Sequence, residues 1–118
     1  MNYNLKGTDV SITDELRSYV EKKGNTVSKF MFDADAARID VELSYIETEE
    51  KQYRAEFTLH DKKIVRSVAH GSTLHEAIDG AAGELSRELT KDKRKRLHNL
   101  RQGAFKVKEF LRGFRTKI

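Results

Sequence analysis

Two neighbouring segments in the middle of the chain alternate strictly between apolar and polar residues, the pattern of β-strands that bury one face. Their apolar positions are Ile39, Val41, Leu43 and Tyr45 in the first segment, and Tyr53, Ala55, Phe57 and Leu59 in the second. Polar residues 47–50 form a turn between them, and residues 60–63 reverse the chain into a third strand at residues 64–69. The pattern predicts a meander of three strands and leaves open which face of the third strand is buried.

A further strand and a helix are predicted before the meander. Residues 2–6 alternate and stop at Gly7, which indicates a short strand. Thr13 is a suitable N-cap for a helix, since acidic residues follow it in the first turn. The apolar residues of this helix are Leu16, Val20, Val27 and Met31, with Tyr19 and Phe30 beside them. Gly24 lies in the middle, where it costs about 1 kcal/mol relative to alanine and permits a bend.

A second helix is predicted after the meander. Thr73 and Glu76 form a capping box that opens this helix, which we expect to reach about Arg96. Its apolar stripe is Leu74, Ala77, Ile78, Ala81, Leu85 and Leu89. The order of elements is therefore β-α-β-β-β-α. This order predicts an α+β two-layer sandwich, with a four-stranded sheet and both helices on one face of it.

Charge is distributed very unevenly along the chain. The net charge is +4, but residues 87–118 contain 12 Lys and Arg against 3 Asp and Glu, and the preceding residues are net acidic. The length of 118 residues predicts one domain at residues 1–96, followed by a basic C-terminal tail at residues 97–118. A basic end on an acidic body is typical of a surface that binds a polyanion, and nucleic acid is the leading candidate.

The two helices offer a better nucleic-acid surface than the sheet. The outward residues of the strands are mixed in charge and include no aromatic ring, so this face is unsuited to base stacking. The cations of the second helix that lie within about 100° of one another are Arg87, Lys91, Arg94 and Lys95. On the first helix, Lys22 and Lys29 share a polar face, whereas Lys23 lies nearer the apolar side and would have to extend outward. The alternative is that these cations form only the solvated face of amphipathic helices.

Residues 97–118 have three competing interpretations. They form a third helix that folds onto the domain, a disordered basic arm that becomes ordered on RNA, or an amphipathic helix for a membrane or a protein partner. Gly103 and Gly113 argue against one long rigid helix.

Several other classes of function have no support in the sequence. The chain contains no cysteine, so it has neither disulfides nor thiolate metal sites, which suits a reducing cytoplasm. His70 and His75 have no converging third ligand, so we expect no metal site. No nucleophile motif, phosphate loop, signal peptide or membrane span is recognisable. We therefore expect no enzyme activity, no cofactor and no small-molecule substrate.

Two motifs resemble one known family. The first comprises residues 2–9 together with residues 16–23, and the second comprises residues 77–79 with Leu85, Arg87, residues 89–91, Lys93 and Lys95. Together they resemble the bacterial ribosome hibernation promoting factors, a family that includes the ribosome-associated inhibitor protein Y, once described as a sigma-54 modulation protein. The resemblance covers about residues 1–96. It implies a β-α-β-β-β-α fold related to double-stranded-RNA-binding domains.

The resemblance also implies a function. Such a factor binds the 16S rRNA of the small ribosomal subunit near the decoding region in the 70S ribosome. It blocks mRNA and tRNA, inhibits translation, and preserves idle ribosomes in the cytoplasm during stationary phase or stress. The family pattern makes Lys22, Lys23, Arg87, Lys91, Lys93 and Lys95 candidate rRNA contacts, and helix geometry adds Lys29 and Arg94. We call these eight residues the basic rail.

The sequence departs from the family pattern at four positions, and one alternative function remains. Glu84 replaces a usual lysine and Glu88 a common glutamine, which weakens the start of the basic rail. Gly24 and His75 replace larger or aromatic residues, which affects local packing. The chain is too short for the dimerisation domain of long family members, so we expect a short-type factor or the N-terminal part of a long one. The alternative is a protein-interaction module whose basic tail docks on an acidic partner or a membrane surface.

Overall fold

The computed structural model describes the backbone of residues 1–116 and the side chains of residues 1–102. Its elements are β1 (Asn2–Thr8), α1 (Asp14–Val27), a short 3₁₀ helix (Ser28–Phe30), β2 (Arg38–Tyr45), β3 (Tyr53–His60), β4 (Ile64–Gly71) and α2 (Leu74–Thr116). The predicted α+β class and the β-α-β-β-β-α order are confirmed. The first helix is shorter than predicted, because α1 ends at Val27 and the chain continues as a 3₁₀ turn.

The four strands form one sheet in the order β1-β2-β3-β4. β1 pairs in parallel with β2, with Leu5 opposite Val41, whereas β2, β3 and β4 pair in antiparallel fashion. A parallel pair cannot be joined by a tight turn. The segment that contains α1 makes the crossover, and this confirms the predicted arrangement of a helical connection followed by a three-stranded meander.

The core lies between one face of the sheet and both helices. The largest buried side chains come from the sheet (Phe57, Ile39, Leu43 and Leu59) and from the helices (Ile78, Leu85, Val20 and Val27). Alternation along β2 and β3 directs these sheet residues to the same side, as predicted. The predicted caps also form: Thr13 Oγ1 accepts a hydrogen bond from the Leu16 N–H at 3.1 Å, and Thr73 Oγ1 accepts one from the Glu76 N–H at 3.1 Å.

β4 faces the helices with its smallest residues, which explains why its orientation could not be predicted. Ser67 and Gly71 are buried, and the Ser67 hydroxyl donates a hydrogen bond of 2.8 Å to the Ala81 carbonyl of α2. A Cβ atom added at Gly71 would lie 2.8 Å from the Ala77 nitrogen. Small side chains therefore let α2 approach β4 closely, and they leave no apolar periodicity in the strand.

Gly24 accommodates a tyrosine from the first strand. A Cβ atom at this position would lie 2.5 Å from the Tyr3 Oη atom. The single hydroxyl proton of Tyr3 is shared between two acceptors, Asn25 Oδ1 at 2.8 Å and the Glu21 carbonyl at 3.2 Å. Burial raises the pKa of Tyr3 to about 12, and the nearby Glu21 carboxylate acts in the same direction. The ring of Tyr3 from β1 therefore occupies the space that a side chain at position 24 would fill.

The second helix is much longer than predicted. α2 contains 43 residues, about 65 Å at 1.5 Å per residue, and Leu89 is its last buried apolar residue in the part of the chain whose side chains are described. The prediction that it ends near Arg96 is wrong, and its backbone is helical across both Gly103 and Gly113. α2 runs without a break across the predicted boundary between a domain at residues 1–96 and a tail at residues 97–118, so this boundary stays a prediction. The side chains of residues 103–118 lie outside the described part of the structure.

Candidate nucleic-acid interface

The two helices lie side by side and run in the same direction. Glu15 and Tyr19 of α1 approach His75 of α2, with ring centroids of Tyr19 and His75 4.4 Å apart, and one turn later Lys23 approaches Asp79. The 3₁₀ helix then reaches the part of α2 near Leu89, with which Phe30 lines one cleft. This parallel arrangement brings the end of α1 next to the basic half of α2.

Lys23 connects the two helices and is not a free cation. Its Nζ atom lies 3.1 Å from Asp79 Oδ1, and the Tyr19 hydroxyl donates to the same carboxylate. The hydrogen bond with Asp79 raises the pKa of Lys23. Burial would raise the pKa of Asp79, but the hydrogen bonds from Tyr19 and Lys23 outweigh burial and lower it. Lys23 therefore reaches a partly exposed carboxylate between the helices, which compensates its charge.

Most of the basic rail is exposed and has no acidic partner. Within the described residues, no carboxylate lies within 4 Å of the side chains of Lys22, Lys29, Arg87, Lys93, Arg94 or Lys95, all of which are exposed. Lys91 is 3.7 Å from Glu88, but its side chain is 76% exposed, so this pair contributes little. These cations keep their charge available for a polyanion.

The rail does not form a single face. Arg87, Lys91, Arg94 and Lys95 lie on neighbouring sides of α2, but Lys93 is two residues from Lys91 and therefore about 200° around the helix. Lys93 lies five full turns after His75, whose ring contacts α1, so it belongs to the side of α2 that faces α1. The cations therefore spread over the outer and α1-facing sides of α2, with Lys22 on α1 and Lys29 in the 3₁₀ helix. Because α1 ends at Val27, the prediction that Lys22 and Lys29 share a face of one helix is wrong.

The structure adds basic residues that the sequence did not single out. Lys62 and Lys63 in the β3–β4 turn and Arg96 of α2 lie around a cleft of about 470 Å³, together with Lys95 of the rail. Phe32, 59% exposed, lines the same cleft. These residues come from three segments that are distant in sequence. The pair Lys62–Lys63 at a strand reversal was the one available signal.

The outward face of the sheet carries paired charges. The Asp40 carboxylate accepts a hydrogen bond from Asn4 Nδ2 at 3.1 Å and lies 3.2 Å from Arg38 Nε and 2.9 Å from His60 Nε2. The Glu56 carboxylate lies 2.6 Å from Arg54 Nη2. Burial would raise the pKa of Asp40, but the hydrogen bonds from Asn4 and His60 outweigh it and lower that pKa. Arg38–Asp40 and Arg54–Glu56 each pair within one strand. Because these charges neutralise one another, this face has little net attraction for a polyanion, and the helices remain the candidate interface.

Two further features bear on function. Across the part of the chain that the structure describes, His, Asp and Glu side chains form no group of three that could hold a metal ion. Among these same residues, no helix combines the length and apolar character needed to cross a membrane.

The fold and the exposed cations define a two-layer α+β binding domain with a basic helical surface. The chain belongs to the family described as sigma 54 modulation protein / S30EA ribosomal protein, whose model matches residues 3–97. The family resemblance noted in the sequence is thereby confirmed. Proteins of this family are non-enzymatic binding factors, which confirms that the chain is not an enzyme.

Relatives and solved structures agree with this assignment. The chain is 32% identical over 96 residues to the ribosome hibernation promoting factor of Escherichia coli K12, covering 80% of this chain and 96% of that protein. It is 28% identical over 95 residues to the ribosome hibernation promotion factor of Bacillus subtilis, covering 80% of this chain but only 50% of the relative. The chain thus spans about half the length of some relatives.

Among solved structures, the N-terminal domain of Thermus thermophilus protein Y matches with a TM-score of 0.68 and 30% identity, over 77% of this chain and 98% of that one. A ribosomal subunit interface protein from Coxiella burnetii matches with a TM-score of 0.65 and 18% identity, over 80% of this chain and 99% of that one. The second match supports the fold alone.

Proposed function

We propose that this chain is a ribosome hibernation factor that binds the 16S rRNA of the small subunit near the decoding region. Bound there, in the cytoplasm, it would exclude mRNA and tRNA by occupancy and keep the 70S ribosome idle. The relatives named above carry the hibernation part of this proposal, and the exposed, unpaired cations of the basic rail carry the RNA-binding part.

Phosphate contact is the physical basis of the proposed binding. The rail offers exposed lysines and arginines on two adjacent helices, and cationic side chains bind phosphates by releasing counterions. If about five phosphates are neutralised, log K for ribosome binding should fall by about 4 for each tenfold increase in salt. Lys23 contributes less, because Asp79 already compensates its charge.

Charge reversal at the rail tests the proposal. We expect Arg87→Glu, Lys91→Glu and Lys95→Glu together to abolish co-sedimentation with small subunits, while circular dichroism remains that of the wild type. A matched control reverses Lys6, Lys51 and Arg66, which gives the same change in net charge at strand and loop positions outside the rail. Lys51 and Arg66 form exposed pairs with Glu76 and Glu56, so circular dichroism must verify that the control is folded as well. The control should bind normally. Retained binding by the rail variant, or a salt dependence close to zero, would contradict the proposal.

Competition tests where the factor binds. Purified subunits and 70S ribosomes are separated on sucrose gradients with the protein, in the presence and absence of mRNA and tRNA. We expect the protein to migrate with small subunits and 70S ribosomes and to be displaced when mRNA and tRNA are added first. Simultaneous occupancy by protein, mRNA and tRNA would refute exclusion while leaving ribosome binding intact.

A further inference from the structure

The cleft beside the basic rail has a fixed frame. Asp61, in the β3–β4 turn, accepts hydrogen bonds from the backbone N–H groups of Phe32 and Asp33 at 2.6 and 3.0 Å. Lys63 of the same turn pairs with Asp92 of α2 at 2.6 Å. The turn is thus fastened both to the segment after α1 and to α2, so the three walls of the cleft are held together before any ligand binds.

The charges of the cleft are arranged for an anion. Both acidic residues that line it already have partners, since Asp61 accepts two backbone N–H groups and Asp92 pairs with Lys63. Within the described side chains, the remaining cations, Lys62, Lys95 and Arg96, have no carboxylate within 4 Å. The cleft is therefore net positive, with the unpaired cations at its rim.

Phe32 gives the cleft an aromatic surface. Its side chain is 59% exposed, and Lys62 Nζ and Arg96 Cζ lie over the ring at 4.6 and 5.7 Å from its centroid, in cation–π contacts. The apolar lining continues through Phe30, Leu59, Val65 and Leu89. Proteins bind unpaired nucleotides with an exposed aromatic ring and neighbouring cations, because the base stacks on the ring and the phosphate meets the cations. In this cleft a base would stack on Phe32 as Lys62 or Arg96 moves from the ring face to the phosphate.

We propose that this cleft holds one unpaired RNA nucleotide, with its base stacked on Phe32 and its phosphate against Lys62 and Arg96. The volume of about 470 Å³ falls within the range of small-ligand sites. The inference rests on the proposed function, because the nucleotide would belong to the ribosomal RNA that the adjacent rail binds. Phosphate contacts of the rail supply affinity, and the cleft adds recognition of an RNA base that is not stacked within an RNA double helix.

Substitutions at Phe32 separate stacking from charge. The full chain and its variants Phe32→Ala, Phe32→Leu and Phe32→Trp are titrated with small subunits at several salt concentrations. We expect Phe32→Ala and Phe32→Leu to weaken binding to small subunits about 10-fold or more. Phe32→Trp, which keeps an aromatic ring, should bind as the wild type does. The slope of log K against log salt should stay unchanged in all of them, because no phosphate contact is removed. Circular dichroism verifies that each variant is folded.

The possible outcomes distinguish this inference from the proposed function. Wild-type protein that does not bind small subunits overturns both. Wild-type binding that Phe32→Ala and Phe32→Leu leave unchanged overturns only the nucleotide site. A photoreactive residue at position 32 identifies the occupant directly: cross-links to rRNA support the site, whereas cross-links to a ribosomal protein overturn it in favour of a peptide.

Discussion

The contact between Tyr3 and Gly24 leads to a prediction in which the effect of one substitution changes sign with its neighbour. An alanine Cβ at position 24 would lie 2.5 Å from Tyr3 Oη and 2.6 Å from its Cε1 atom, far inside van der Waals contact. The ring cannot move away freely, because its hydroxyl is hydrogen-bonded to Asn25 and to the Glu21 carbonyl. Gly24→Ala must therefore displace the ring and break these hydrogen bonds.

The expected magnitude is a balance of three contributions. Alanine gains about 1 kcal/mol of helix propensity over glycine. Overpacking costs about 1–3 kcal/mol, and the lost hydrogen bonding costs about 1 kcal/mol. Gly24→Ala should therefore lower the free energy of unfolding by about 2 kcal/mol, which corresponds to roughly 8 °C in Tm for a chain of this length. In a Tyr3→Leu background the obstacle is gone, and the same substitution should stabilise the protein by about 1 kcal/mol.

Urea unfolding of the four proteins in this double-mutant cycle, followed by circular dichroism, measures the coupling between the two positions. Gly83→Ala is the matched control, since a Cβ atom there would meet nothing closer than Arg87 at 3.7 Å and should be stabilising. The reasoning is refuted if Gly24→Ala stabilises the wild type as the control does, or if its effect is the same whether residue 3 is tyrosine or leucine.

Three further predictions concern pH and the long helix. The lowered pKa of Asp79 contributes stability that is present above the ordinary value of 3.8 and is lost as pH falls through the lower folded value. The unfolding midpoint of Asp79→Asn should therefore fall less at acidic pH than that of the wild type. If the two proteins lose stability in parallel as the pH falls, the stabilising pair of Asp79 with Lys23 is contradicted. The pKa of Tyr3, raised to about 12, contributes stability that is complete below pH 10 and declines between pH 10 and about 12. Tyr3→Phe should lack this decline in alkaline unfolding curves, and an unaltered decline would exclude Tyr3 as its source. Deletion of residues 97–118 should leave most ribosome co-sedimentation intact. Complete loss of co-sedimentation would instead favour the alternative in which the basic tail docks on an acidic partner or a membrane surface.

The sequence predicted the fold because most elements carry two independent signals. β2 and β3 show both strict alternation and flanking turns, and each helix start has a cap in addition to an apolar stripe. β4 lacked such support, since Ser67 and Gly71 occupy its buried positions and close approach to α2 requires small residues there. The extent of α2 was missed because the apolar stripe that predicted it ends at Leu89, which is also the last buried apolar residue whose side chain is described.

The candidate site was predicted in part. The exposed positions of Lys22, Arg87 and Arg94 follow from helix periodicity, which needs only local sequence. The pairing of Lys23 with Asp79 depends on two residues far apart in the chain, and no periodicity reveals it. The cleft around Phe32 was missed for the same reason, because its aromatic surface and its cations meet only through tertiary contacts.

The parallel pairing of β1 with β2 also has a consequence for the order of folding. The meander and α2 connect neighbours along the chain, so their contacts close short loops. Among the described strands, β1 pairs with β2 alone, and the paired residues Leu5 and Val41 lie 36 positions apart. Longer loop closure is entropically less favourable and slower. Docking of the N-terminal strand is therefore the least local step within the sheet, whereas contacts of α1 with α2, such as that of Tyr19 with Asp79, 60 positions apart, join residues that are more distant still.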